Sequence, residues 1–218
     1  MSTSPVALPY DDAAQQREAV SLGMWLFLAT EVLFFGGLFV GYTVYRHQYP
    51  AAFLSGSEHL SVMSGAVMTA VLLLGSLLVA LSDLLIRGGE DSRGNIVRNL
   101  AITAALGVAF LGLEFHEYGE LISEGLFPGT GFDRSSFTEA PLGGRSVELF
   151  YCLFFFMTGL HAFHMIVGVL LVTGMTITIA RSSDIARHRN LLENFGLYWH
   201  FVDIVWVFLF PLFYLIEA

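Results

Sequence analysis

Two short patterns of ionisable residues stand inside long apolar stretches of this sequence. One reads Gly159-Leu-His161-Ala-Phe-His164-Met-Ile-Val-Gly168 and the other Tyr198-Trp199-His200-Phe-Val-Asp203. A His-x-x-His pattern facing a His-x-x-Asp pattern offers imidazoles and a carboxylate at i,i+3 spacing, a donor set that can ligate a metal ion. The same groups can bond across helices and satisfy one another where water is absent. That interhelical polar clamp is the reading adopted, and no metal is assigned.

Glu31 stands in WLFLATEVLFFGGLFVGY, and at 100° per residue it shares a face with Met24, Phe27, Leu38 and Tyr42. A charged group in hydrocarbon costs a few kcal/mol or more, so its presence asks for a reason. Two reasons stay open: a protonatable group beside a proton path, or a protonated acid hydrogen-bonded to a neighbouring helix. A third group of acids lies in LGLEFHEYGELISEG. Glu114, Glu117 and Tyr118 fall on one helical face, expected to meet other helices, while His116 points away and can pair with Glu120. Together with His161, His164, His200 and Asp203, these three form the expected interhelical polar network. No catalytic residue is assigned.

The elements that must carry these residues are set by composition. Of 218 residues, 55% are hydrophobic and 13% charged, and the mean hydropathy is +0.67. A soluble domain usually has about a quarter charged residues. The apolar residues come in blocks, and about 20 of them span the hydrocarbon core of a bilayer as a helix. Segments at about 20–45, 62–86, 97–121, 147–180 and 195–216 meet that length. The expected fold is therefore all-α, a bundle of five transmembrane helices. Residues 1–18 are read as a cytoplasmic tail and 19–218 as one membrane domain. The N-terminal stretch lacks a basic region followed by a short apolar run, so no cleaved signal is expected.

All ten basic residues are Arg. With the N-terminus inside, Arg17, Arg87, Arg93, Arg98, Arg181, Arg187 and Arg189 are cytoplasmic, and Arg46, Arg134 and Arg145 lie outside. Seven against three obeys the positive-inside rule and places the C-terminus on the periplasmic side. The net charge of −9 argues against a nucleic-acid partner. Cys152 is the single cysteine and excludes a disulfide framework. The fourth segment is longer than a span needs and is expected to tilt or project. Gly37-x-x-x-Gly41 permits close helix approach, and packing within the bundle is the expected use. The acidic stretch around Asp11 and Asp12 is read as solvated, and Pro211 as a tolerated kink.

TEVLFFGGLFVGY, GLHAFHMIVG and WHFVDIVWVFLFPLFYLI, on the first, fourth and fifth segments, resemble the signatures of subunit III of haem–copper oxidases. They occur in the family's order from about residue 20 to the C-terminus, and Glu117–Tyr118 before a polar turn also fits. The resemblance implies the short, five-helix bacterial form in the inner membrane. It implies a chain without haem or copper, which reside in partner subunits, packed against catalytic subunit I in a complex that also holds subunit II. The complex reduces O2 to water and pumps protons, with a cytochrome c oxidase as the expected type. Subunit III is then expected to brace the catalytic subunit, bind structural phospholipid and support proton uptake, protecting the oxidase during turnover.

By the same resemblance, Glu31 matches the family's intramembrane carboxylate, His161 and His164 its paired histidines, and His200 and Asp203 its closing motif. The longer form has two further N-terminal helices that wall a lipid cleft, so lipid here is expected on a neighbouring subunit or more loosely held. Three alternatives stay open. They are a quinol oxidase subunit, a relative serving nitric-oxide reductase, and a stand-alone proton or cation transporter. Against the transporter, no paired hydropathy halves or broken helices are seen. A donor complex joined in a supercomplex is a further possible partner.

Overall fold

The computed structural model describes residues 12–87, 93–137, 144–182 and 184–216, without the side chains of 13, 14, 17 and 136. Most of the expected cytoplasmic tail, Asp11 included, lies outside the described residues. So do the centre of the 87–95 turn, 138–143 of the long polar loop, and the Arg17 side chain.

Among the described residues there is no strand. Six α-helices follow in order: α1 (Ala13–Gln48), α2 (Pro50–Ser57), α3 (Val62–Ile86), α4 (Arg93–Ser123), α5 (Arg145–Arg181) and α6 (Arg189–Tyr214). Five of them, all but α2, are long and apolar enough to cross a membrane. Short 3-10 turns at Arg134–Phe137 and Ala186–His188 precede α5 and α6.

The helices outrun the apolar segments where polar turns cap them. α1 starts at Ala13, with the Asp12 side chain accepting from the Gln15 amide at 2.7 Å. α6 starts at Arg189, so the polar turn RNLLEN is helical too. Apolar length marks the part of a helix inside hydrocarbon, whereas capping and local propensity decide where it begins. α2 is not foreshadowed by any span. Tyr49 leaves the helical region ahead of Pro50, as residues preceding proline tend to, and Pro50 opens α2 at a position that needs no amide hydrogen. α2 then tucks Ala52 and Phe53 under α5, and Tyr151 donates to the Gly56 carbonyl at 3.1 Å.

α3, α4, α5 and α6 close into a four-helix core in which α3 packs on α4 and α6, and α5 on α4 and α6. α1 lies at the edge, against α6 and α2. Half of the apolar stretch of α6 is buried, against 11% of that of α1, so α6 is the central post and α1 the outrigger.

The position of α6 is fixed by Trp199, whose indole is 1% exposed. It lies against glycines of three helices. A Cβ on Gly107 of α4 or Gly168 of α5 would come within 3.2 Å of the ring, and one on Gly75 of α3 within 3.6 Å. This is the small-residue packing that membrane helices use where side-chain bulk would hold backbones apart. Because Trp199 is keyed into that socket, the rotation of α6, and with it the direction of His200 and Asp203, is set.

Gly37 and Gly41 take no such part. A Cβ at either would meet nothing within 4 Å, which overturns their expected use inside the bundle. α1 buries the seam Leu28, Phe35 and Tyr42. Gly37, nine residues past Leu28, falls on the opposite side of the helix at 100° per residue.

Candidate functional site

The expected polar residues are all described, but they form three separate groups, with His161 bonded apart from all three. The first joins α1 to α5. Glu31 Oε2 stands 3.4 Å from His164 Nε2, within ion-pair range yet without the alignment of a hydrogen bond. His164 Nδ1 lies 2.9 Å from the Leu160 carbonyl, which can only accept, so Nδ1 carries the hydrogen. One further proton, held on either the carboxyl or Nε2, satisfies the pair. Phe35 and Phe163 set their edges against the imidazole, and Tyr198 of α6 donates to the His164 carbonyl at 2.8 Å.

The second group joins α6 to α3. Ser76 Oγ lies 2.6 Å from His200 Nδ1. Asp203, one turn further along, is 3% exposed, and neither carboxylate oxygen has a hydrogen-bonded partner. At the end of α6 where most arginines collect, a cavity of about 680 Å³ opens between α1, α3 and α6. Glu18, Asp83 and Glu193 line its polar part, Trp25 and Leu197 its apolar part, and His200 belongs to its wall. Asp83 is paired with Arg87 at 2.9 Å.

The third group, toward the other end of α4, is closed. Tyr214 donates to Glu117 Oε2 at 2.5 Å, tying α6 to α4. Tyr118 lies 2.6 Å from Thr158 Oγ1 of α5 and 3.2 Å from Glu114 Oε1. Thr158 gives its own hydrogen to the Phe154 carbonyl at 2.7 Å, so two acceptors compete for the single hydrogen of Tyr118. A proton on Glu114 supplies the one that is short. Glu114 and Glu117 are 2% and 5% exposed, as their face of α4 required. His116 and Glu120 stay outside, 3.8 Å apart and largely exposed, where such a pair is worth little.

These groupings correct the clamp expected between the two histidine motifs. His161 donates from Nε2 to the Val202 backbone carbonyl at 3.2 Å and packs on Phe110 and Trp206. It bonds neither His200 nor Asp203. His164 is turned toward α1 and His200 toward α3, because each helix presents residues three apart about 60° from one another. The three imidazoles therefore point to different neighbours. Among the described residues no group of three or more His, Cys, Asp or Glu is arranged to hold a metal ion.

The partners Ser76, Thr158 and Tyr198 were not singled out from the sequence. Hydroxyls in apolar runs are common, and most here simply bond the carbonyl four residues back, as Thr69, Ser82 and Thr173 do.

Helices of membrane-spanning length with acids and imidazoles buried between them define the class of polytopic integral membrane proteins. Sequence comparison narrows it. The family described as cytochrome c oxidase subunit III matches residues 127–217. Subunit 3 of the cytochrome bo(3) ubiquinol oxidase of Pseudomonas aeruginosa is 30% identical, over 96% of this chain and 90% of that one. Cytochrome c oxidase subunit 3 of Thermostichus vulcanus is also 30% identical, over 96% and 94%. Quinol oxidase subunit 3 of Bacillus subtilis is 28% identical over 89% and 85%. The chain belongs to the subunit III family of respiratory oxidases. It is a multi-pass membrane protein that partners other subunits of an oxidase complex.

Proposed function

We propose that this chain is the non-catalytic subunit III of a proton-pumping terminal oxidase in a bacterial inner membrane, with its N-terminus cytoplasmic. It braces catalytic subunit I, with subunit II in the same complex, binds structural phospholipid, and supports proton uptake at the arginine-rich face. Haem and copper reside in the partner subunits. The observation that carries the proton-handling part is the Glu31–His164 pair. An acid and an imidazole 3.4 Å apart between α1 and α5 are two proton-accepting groups that can exchange a proton without moving either helix.

Cytochrome c is the donor carried forward. A quinol is the second reading, favoured by the Pseudomonas and Bacillus relatives named for quinol oxidases. Mild-detergent purification from the native membrane, with mass spectrometry and an absorption spectrum, tests both. Haem bands and a large multi-helix subunit are the expected result, and oxidation of reduced cytochrome c against quinol decides the donor. A colourless chain that runs alone overturns the proposal.

A further inference from the structure

We propose that Asp203 is a proton-exchange site in the middle of the bundle, fed from the arginine-rich end through the cavity, His200 and Ser76, and separate from the Glu31–His164 pair. The purpose of such a site rests on the oxidase reading, but its existence does not.

Three observations meet here. Asp203 is almost wholly buried and both carboxylate oxygens lack a bonded partner. A buried acid without a donor is costly as an anion, and holding a proton relieves that cost. Asp203 lies fourteen residues into α6; at the rise of an α-helix that is roughly 21 Å from the first residue, about mid-depth for a span. The proton must then have a way in. The cavity reaches His200, is lined by three carboxylates and two amides, and has room for on the order of twenty waters. From its inner wall the chain of groups continues. His200 Nδ1 meets Ser76 Oγ at 2.6 Å, and Asp203 follows His200 by one turn along the same helix.

The transfer balances. A hydronium in the cavity gives a proton to His200 Nε2 and becomes water. The imidazolium releases its Nδ1 hydrogen to Ser76 Oγ, and Ser76 passes its own hydroxyl hydrogen to Asp203. Imidazole and hydroxyl end neutral, and one proton has moved from the cavity to the carboxyl. Return of the imidazole to its first tautomer resets the relay. His200 and Ser76 are positioned for this by the Trp199 socket, since a turn of α6 would swing His200 away from α3.

The test is infrared spectroscopy of the purified complex that carries this chain, transferred from H2O to D2O. The carboxylic C=O band of Asp203 is identified by its absence in Asp203→Asn. In the parent protein that band is expected to shift as soon as D2O is exchanged. His200→Phe is expected to slow the shift by about a hundredfold, the scale of a lost positioned proton carrier. His116→Phe, exposed at the far end, is expected to leave it unchanged. Ser76→Ala, expected to slow the shift likewise, stands in if His200→Phe does not assemble.

If no carboxylic band depends on Asp203, the site is not a proton holder and the proposal is overturned. A band that fails to exchange in the parent, or that exchanges equally fast in His200→Phe or Ser76→Ala, overturns it too. Failure of the oxidase reading would show instead as missing haem bands in the same preparation.

Discussion

The two ends of this bundle treat buried acids in opposite ways. From mid-depth toward the arginine-rich end, Glu31 stands beside an imidazole and Asp203 lies one turn from another, whose ring lines an open cavity. At the other end Glu114 and Glu117 meet phenols, at Tyr118 and Tyr214, and are shut in by α3, α5 and α6. Imidazole can take a proton at one ring nitrogen and give one from the other, whereas each phenol here serves a carboxyl as a hydrogen-bond donor. The same residue type thus stands by an imidazole, where proton exchange is proposed, at one end and forms a hydrogen-bonded brace at the other. The partner and the access to water decide which, not the carboxyl itself.

The comparison can be broken at several points. Gly107→Val should have the largest effect. A Cβ there already lies 2.6 Å from Val169 and 3.2 Å from Trp199, so the branched side chain forces α4 away from α5 and α6. Overpacking of this kind costs about 1–3 kcal/mol or more. It should disturb both ends together, read as loss of the chain from the purified complex. Tyr214→Phe acts on the closed end alone. It removes the donor to Glu117 and should cost about 1–3 kcal/mol through an orphaned buried carboxyl, measured as a lower thermal retention of the chain in detergent. An equal loss from Glu31→Gln would erase the distinction between the ends.

Glu31→Gln should instead leave assembly intact, because an amide still hydrogen-bonds. It should hasten activity loss during sustained turnover of the oxidase. Unchanged turnover kinetics reduce Glu31 to packing. The smallest effect is expected from Gly37→Ala. Its Cβ enters open space, and the exchange should stabilise the helix by up to about 1 kcal/mol. Reduced co-purification of other subunits in that variant, with the fold unchanged, would place α1's outer face against a partner.

Much of this architecture is legible in the chain as a string. Five spans follow from apolar length alone, because a helix must satisfy its own backbone in hydrocarbon and needs about 20 residues to cross it. The burial of Glu114 and Glu117 followed from their shared helical face. Three ordered motifs pointed to the family that the comparisons then showed. What eluded the sequence lies between helices. α2 is too short for a hydropathy signal and exists because Tyr49 and Pro50 bend the chain back onto α5.

The sequence by itself determined that the chain is helical, membrane-spanning and acidic in its interior, since composition and period act within one helix at a time. Only the tertiary structure decided which neighbour each ionisable group received. His164 went to Glu31, His200 to Ser76, and His161 to a backbone carbonyl, although all three lie in two short motifs. Helix rotation makes that choice, and rotation is set by packing such as Trp199 among Gly75, Gly107 and Gly168, whose spacing along the chain carries no sign that they meet.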